Sequence, residues 1–139
     1  SGKAMLATMV LGADGVQIGS RFVASEESSA HVEFKQMVVE AKEGDTQLTL
    51  KELAPVRLIK NEFFKQVQDL YKTTPTIEQL KELLGRARAK RGMFEGDLKE
   101  GELEIGQISG LIHDIKPVEK IVKDIIKEFE ESKKRVSTL

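Results

Sequence analysis

The run GADGVQIGSRF, residues 12–22, holds the residue types best suited to gripping a ligand. Ala13 to Ile18, with Val16 and Ile18 on one face, reads as a short buried strand that passes through Gly19 into a helix beginning near Ser20. Such a junction gathers backbone N–H groups, a hydroxyl and the positive end of a helix dipole at one point. Those are the elements of a phosphate site. Glycine at position 19 would let a ligand come close to the backbone. From spacing alone the more economical reading is a plain strand-to-helix turn with Ser20 as an N-cap.

Other reactive residue types carry weaker signals. Cysteine is absent, which removes disulfides, thiolate metal sites and cysteine nucleophiles together. His31 falls in the helix after the Gly-Ser turn and His113 in a C-terminal loop. Neither has a base and an orienting partner nearby, so both read as surface or capping histidines and the chain offers no catalytic residue. Arg86, Arg88, Lys90 and Arg91 could attract a phosphate or an acidic partner, or could equally be cations favoured at a helix C-terminus. The carboxylates of EGDLKEGELEIG lack the alternating ligand pattern of a calcium loop, and no metal is expected. Met93 and Phe94, on a glycine-flanked loop, suit either a moving cover or an anchor to the core.

The elements that would position these groups are mostly helical. SGKAMLATMVLG reads as a helix through Ala4, Ala7, Val10 and Leu11, ended by Gly12. Ala30, Phe34, Met37, Val38 and Ala41 predict a helix over 28–42, with Gly44 placed to end it. DTQLTL alternates and predicts an extended segment, after which Ile59, Phe63, Val67 and Leu70 make one helical face. Thr76 and Gln79 have capping-box spacing ahead of Ile77, Leu80, Leu83 and Leu84, and Gly85 can close that helix. Residues 92–110 hold five glycines among apolar residues and predict a structured loop that something else packs against. Pro117 precedes a clean stripe of Val118, Ile121, Val122, Ile125, Ile126 and Phe129. One strand cannot make a sheet, so the partners of 13–18 are expected in residues this chain does not contain.

At 139 residues, 40% hydrophobic and 32% charged, the chain has the balance of one globular domain or part of one. With 22 basic and 23 acidic residues it has no global field for nucleic acid, and no stretch is apolar enough for a membrane span. The absence of cysteine and of a signal-peptide pattern points to the cytoplasm. The helical start without a methionine suggests a trimmed product or a fragment of a longer chain.

LGADGVQIGSRFVASEESSAH resembles the last barrel strand of the FMN-dependent nitronate monooxygenase (2-nitropropane dioxygenase) family, which includes the flavin-containing enoyl-acyl-carrier-protein reductases of type II. PVRLIKN, GRARAKRGMFEGDL and GELEIGQISGLI are similar to the C-terminal part of those reductases, in the same order. The resemblance runs from Ser1 to about Phe129 and implies an α/β fold: the C-terminal portion of a TIM (β/α)₈ barrel, itself mostly α. Residues 1–24 would supply helix 7, strand 8 and the phosphate turn, and 25–139 a mainly helical extension packing on the barrel. Gln17, Gly19 and Ser20 match the family's Gln-x-Gly-Thr/Ser-Arg-Phe motif and would hold the FMN phosphate. Ser20 replaces the more usual threonine and keeps the hydroxyl. Gln107 would line the substrate side.

The resemblance further implies the rest of the barrel as a partner, an acyl carrier protein as substrate carrier, and a homodimer when complete. NADH or NADPH would be co-substrate of a reductase; a nitronate monooxygenase would use O₂ instead. A different class of reading is a non-enzymatic helical interaction module. The family's flavin-ring contacts and active-site histidine precede Ser1, so the chain alone is expected to be inactive.

Overall fold

A computed structural model describes residues 1–138. In chain order the elements are α1 (Gly2–Val10), α2 (Ser20–Val23), α3 (Val32–Glu40), β1 (Thr46–Thr49), β2 (Val56–Ile59), α4 (Glu62–Tyr71), α5 (Ile77–Leu84), α6 (Arg88–Met93), a 3₁₀ turn (Gln107–Leu111) and α7 (Val118–Val136). The molecule is mostly helical with one two-stranded sheet.

The sheet uses the predicted extended segment DTQLTL but pairs it with a strand the sequence does not suggest, and leaves out residues 13–18. Residues 13–18 form no strand, because no described segment offers them a ladder, and Val16 is exposed. An extended run becomes a strand only when a neighbour accepts and donates its backbone hydrogen bonds. The hairpin lies further on, where β1 pairs antiparallel with β2 from Thr46 opposite Ile59 to Thr49 opposite Val56. Ile59 therefore ends a strand instead of opening the next helical face. Asn61 starts α4, its side-chain oxygen accepting from the Phe64 N–H at 2.9 Å.

The outer edge of β2 is covered by the glycine-rich segment. Ile59 N–H donates to Leu103 O at 2.9 Å, Ile105 N–H donates to Arg57 O at 3.1 Å, and Leu58 bridges Glu104. This pairing buries Leu103 and Ile105 and explains why residues 92–110 are too apolar for a linker. Gly92 and Gly101 allow the loop to close on itself: a Cβ on Gly101 would lie 2.2 Å from the Gly92 Cα. Met93 packs against the core while Phe94 stays exposed, so Met93 is the anchor of that loop.

Two apolar clusters result. Phe34, Val38, Ile59, Leu103, Ile105 and Ile112 form one beneath α3. Leu50, Leu58, Phe63, Phe64, Val67 and Leu80 form the other between the hairpin, α4 and α5. The Thr76–Gln79 capping box forms as the spacing predicts, and Gly85 closes α5 at φ +64°. Helix α3 begins at Val32, later than predicted, because the His31 side chain caps it by accepting from Glu33 N–H at 3.3 Å. It ends at Glu40, and Gly44, at φ +87°, serves the turn into β1 instead of the helix end.

Helix α7 packs along α1, and Pro117 stands just before its first turn. Contact at Gly2 is backbone to backbone, since a Cβ there would fall 2.3 Å from Ile125 O. Gly2 N–H donates to Glu128 Oε2 at 2.6 Å. Only part of the α7 stripe is covered: Ile121 is buried, whereas Val122 and Ile126 are exposed.

Candidate phosphate-binding turn

Gly19 (φ −103°, ψ −72°) leads directly into the single-turn helix α2. The N–H groups of Gly19, Ser20 and Arg21 find no acceptor among the described residues, as expected where a helix starts without a cap. A Cβ added to Gly19 would meet nothing, so the chain's own packing does not demand glycine there. The space above Gly19 is open, and a side chain would fill it.

The turn is fixed from behind. Ser20 Oγ accepts a hydrogen bond from Gly106 N–H at 3.1 Å, leaving its own proton free to donate. A Cβ on Gly106 would lie 2.7 Å from that oxygen, so glycine permits this approach. Arg21 points away from the open side. Its guanidinium donates to Asp114 Oδ1 at 2.6 Å, to Asp114 O at 2.9 Å and to Ala24 O at 3.3 Å. Lys116 joins Asp114 (2.9 Å) to Asp124 of α7 (3.0 Å), and hydrogen bonds to these two carboxylates hold its ammonium pKa above the usual value. The arginine after Gly-Ser is thus a brace for the turn.

Two hollows flank this region. One, of about 390 Å³, is lined by Gly19, Ser20, Val56, Arg57, Glu104 and Gly106. Its neighbour, of about 580 Å³, is lined by Glu43, Thr46, Arg57, Gln107, Ile108 and Leu111. The structure therefore brings Gly19 and Ser20 to one hollow and Gln107 to the next. Gln17 is exposed and lines neither. Arg57 borders both, and sequence reasoning missed it as a site residue; recognising Val56–Ile59 as a strand would have exposed it as a cation within a sheet.

Of the basic run only Arg88 is turned inward, while Arg86, Lys90 and Arg91 stay exposed. Arg88 donates to the carbonyls of Leu83 (3.0 Å), Leu84 (2.9 Å) and Glu100 (2.7 Å) and lies 4.4 Å from the Phe63 ring centroid. Arg91 pairs with Asp97 at 2.5 Å and Lys90 with Glu95 at 3.1 Å. Of the two sequence readings, closure of a helix C-terminus is the one Arg88 fulfils at the end of α5. His113 is exposed, and no catalytic constellation forms around either histidine. Among the described residues no cluster of three or more His, Asp or Glu could hold a metal, and no helix is long and apolar enough to cross a membrane. Glu102 is buried below the hairpin edge; burial first, then the charge of Glu104, pushes its carboxyl up to about 7 against the opposing pull of Arg88.

With this geometry in view, the likeness to known proteins is direct. The family model described as nitronate monooxygenase matches residues 1–128. A Staphylococcus saprophyticus protein named "Probable nitronate monooxygenase" is 32% identical over 126 residues, covering 88% of this chain and 35% of that protein. FabK from Thermotoga maritima superposes with a TM-score of 0.90 at 39% identity, covering 99% of this chain and 44% of that one. Nitroalkane oxidase from Streptomyces ansochromogenes superposes at 0.72 with 26% identity, covering 97% and 38%. The chain spans less than half the length of these relatives. A match over nearly all of its residues, by sequence and by fold, places this chain in the nitronate monooxygenase family of oxidoreductases.

Proposed function

We propose that this chain is the phosphate-binding end of an FMN-dependent (β/α)₈-barrel oxidoreductase, and that the complete protein reduces the double bond of an enoyl thioester carried on an acyl carrier protein. The observation that carries the reading is the turn at Gly19–Arg21: three N–H groups without acceptors, open space above the glycine, and a rigid backing of Gly106 and Asp114. This donor set suits a dianionic phosphate monoester. Gly19 and Ser20 would hold the FMN phosphate with backbone N–H groups and the Ser20 hydroxyl, and Gln17 would stand at its approach. Bound FMN supplies hydride transfer between a reduced nicotinamide and the substrate; the protein supplies position and field.

In this reading residues 1–24 belong to the barrel and 25–139 to the extension that packs on it. Residues 13–18 gain their ladder from barrel strands outside the chain, and the complete protein is a homodimer. Gln107, in the hollow beside Arg57, faces the substrate side. The reductase branch is favoured over the oxygenase branch by the GELEIGQ and SEESSAH motifs and by the better superposition on FabK than on nitroalkane oxidase. The names of the curated relatives favour the second reading, oxidation of a nitronate by O₂.

Anaerobic mixing of the full-length gene product with NADH or NADPH separates the two. Bleaching of the flavin, reversed by an enoyl thioester, is the expected result. A flavin bleached only by a nitronate would establish the oxygenase instead. A colourless protein that binds no flavin would overturn both and leave a helical interaction module.

A further inference from the structure

Arg57 sits on β2 between the two hollows and is only partly used by the fold. One nitrogen, Nη1, donates to Thr46 O at 3.2 Å and to Thr46 Oγ1 at 3.3 Å, which fixes the guanidinium in place. Nε and Nη2 have no acceptor among the described residues, and no described carboxylate forms an ion pair with it. A half-buried guanidinium held on one side, with an unused donor edge, is prepared for a planar or tetrahedral oxyanion. The backbone on either side of it is fixed as well, by β1 on one edge and by Ile105 N–H to Arg57 O on the other. Gly19 and Ser20 border the same 390 Å³ hollow, and Glu104 is the carboxylate at its rim.

We propose that Arg57 binds a phosphate group in the hollow it shares with Gly19 and Ser20. The inference rests on the reading of that turn as a phosphate site and adds to it a cation distant in sequence. The phosphate is either that of FMN or a phosphate carried by the substrate, as in a nicotinamide dinucleotide or a phosphopantetheine thioester. Glu104 opposes any such anion, and the balance between these two side chains sets the affinity of the hollow.

The test uses the full-length gene product with Arg57→Met, Arg57→Lys, Glu104→Gln and, as a charge control remote from both hollows, Arg86→Met. Binding of FMN and of riboflavin is measured by fluorescence quenching, and KM is measured for the nicotinamide and for the thioester. Losing a charge-assisted hydrogen bond to phosphate weakens binding about ten- to a hundredfold. If the phosphate is that of FMN, Arg57→Met weakens FMN by that factor and leaves riboflavin unchanged. If it belongs to a substrate, flavin binding is unchanged, and KM for one co-substrate rises with little change in kcat. In either case Glu104→Gln tightens the same ligand a few-fold, Arg57→Lys falls between wild type and Arg57→Met, and Arg86→Met changes nothing. Glu104→Gln removes no hydrogen bond of the fold and reports whether a phosphate occupies the hollow, while Arg57→Lys, which keeps the charge but loses the planar donor edge, tests Arg57 itself even if Arg57→Met fails to fold. Unchanged affinity for every phosphate-bearing ligand in Arg57→Met and Glu104→Gln overturns the assignment while leaving FMN binding at the turn intact. A wild-type protein that binds no flavin overturns the turn reading itself; inorganic pyrophosphate then decides on Arg57, since its binding must weaken in Arg57→Met if the assignment stands.

Discussion

The hairpin with α4 and α5 and the first 23 residues are built on opposite terms. In the former, Phe63 and Val67 are fully buried, helix ends are capped by Asn61, Thr76 and Arg88, and Gly85 turns the chain at a positive φ. In the latter, Val10 and Leu11 are 74% and 87% exposed, residues 13–18 have no ladder, and three N–H groups of the turn lack acceptors. One region satisfies itself. The other presents unsatisfied donors and apolar surface, which are the properties of a part that works against a ligand and against more protein. The candidate site lies where Arg57 of the hairpin borders the open turn, which Gly106 and Asp114 back from the C-terminal segment.

Substitutions can break this contrast. The largest effect is expected at Phe63, where Phe63→Ala removes a fully buried ring and the partner of Arg88 and costs about 3–5 kcal/mol, read as a shift in urea midpoint. Val16→Ala, on the open segment, is expected to change stability by less than about 0.5 kcal/mol in the chain alone. An equally large loss at Val16 would show that residues 13–18 are packed after all.

A smaller effect follows from Glu102. Its folded pKa is raised, so the folded state favours the protonated carboxyl, and Glu102 lowers stability as pH climbs through the unfolded value near 4.5 toward about 7. Glu102→Gln is expected to stabilise the protein by about 1–3 kcal/mol at pH 8 and to leave it unchanged near pH 4. Denaturant titrations at the two pH values check the sign; stabilisation confined to low pH would contradict it. Thr76→Ala, smaller again than Glu102→Gln, removes half of the capping box and lowers stability by about 1 kcal/mol.

The closed region was the more legible in sequence where its signals are local. Thr76 and Gln79 stand three residues apart, and each serves the other's backbone. β2 was not legible, because Ile59 stands four residues before Phe63 and mimics a helical repeat while belonging to a strand. Periodicity cannot see the Asn61 cap that separates them. At the site the local pair, Gly19 and Ser20, was visible from residue type. Gly106, 86 residues from Ser20, and Arg57 were not, since only the pairing of 103–105 with β2 carries them to the turn. The local pattern of residues 13–18 fits a strand, but a strand is a property of two segments and the second is not among those described.

The central claim is that Gly19 is glycine for a ligand and Gly101 is glycine for the fold. Gly19→Ala and Gly101→Ala in the full-length protein test it together, by melting temperature and FMN affinity. A Cβ at Gly101 would lie 2.2 Å from the Gly92 Cα and 2.4 Å from Asp97 O, whereas one at Gly19 would meet nothing. The account predicts that Gly101→Ala melts far below the wild type, while Gly19→Ala keeps the wild-type melting temperature and loses FMN affinity by about tenfold or more. A Gly19→Ala protein that binds FMN as tightly as the wild type would contradict the account at its core.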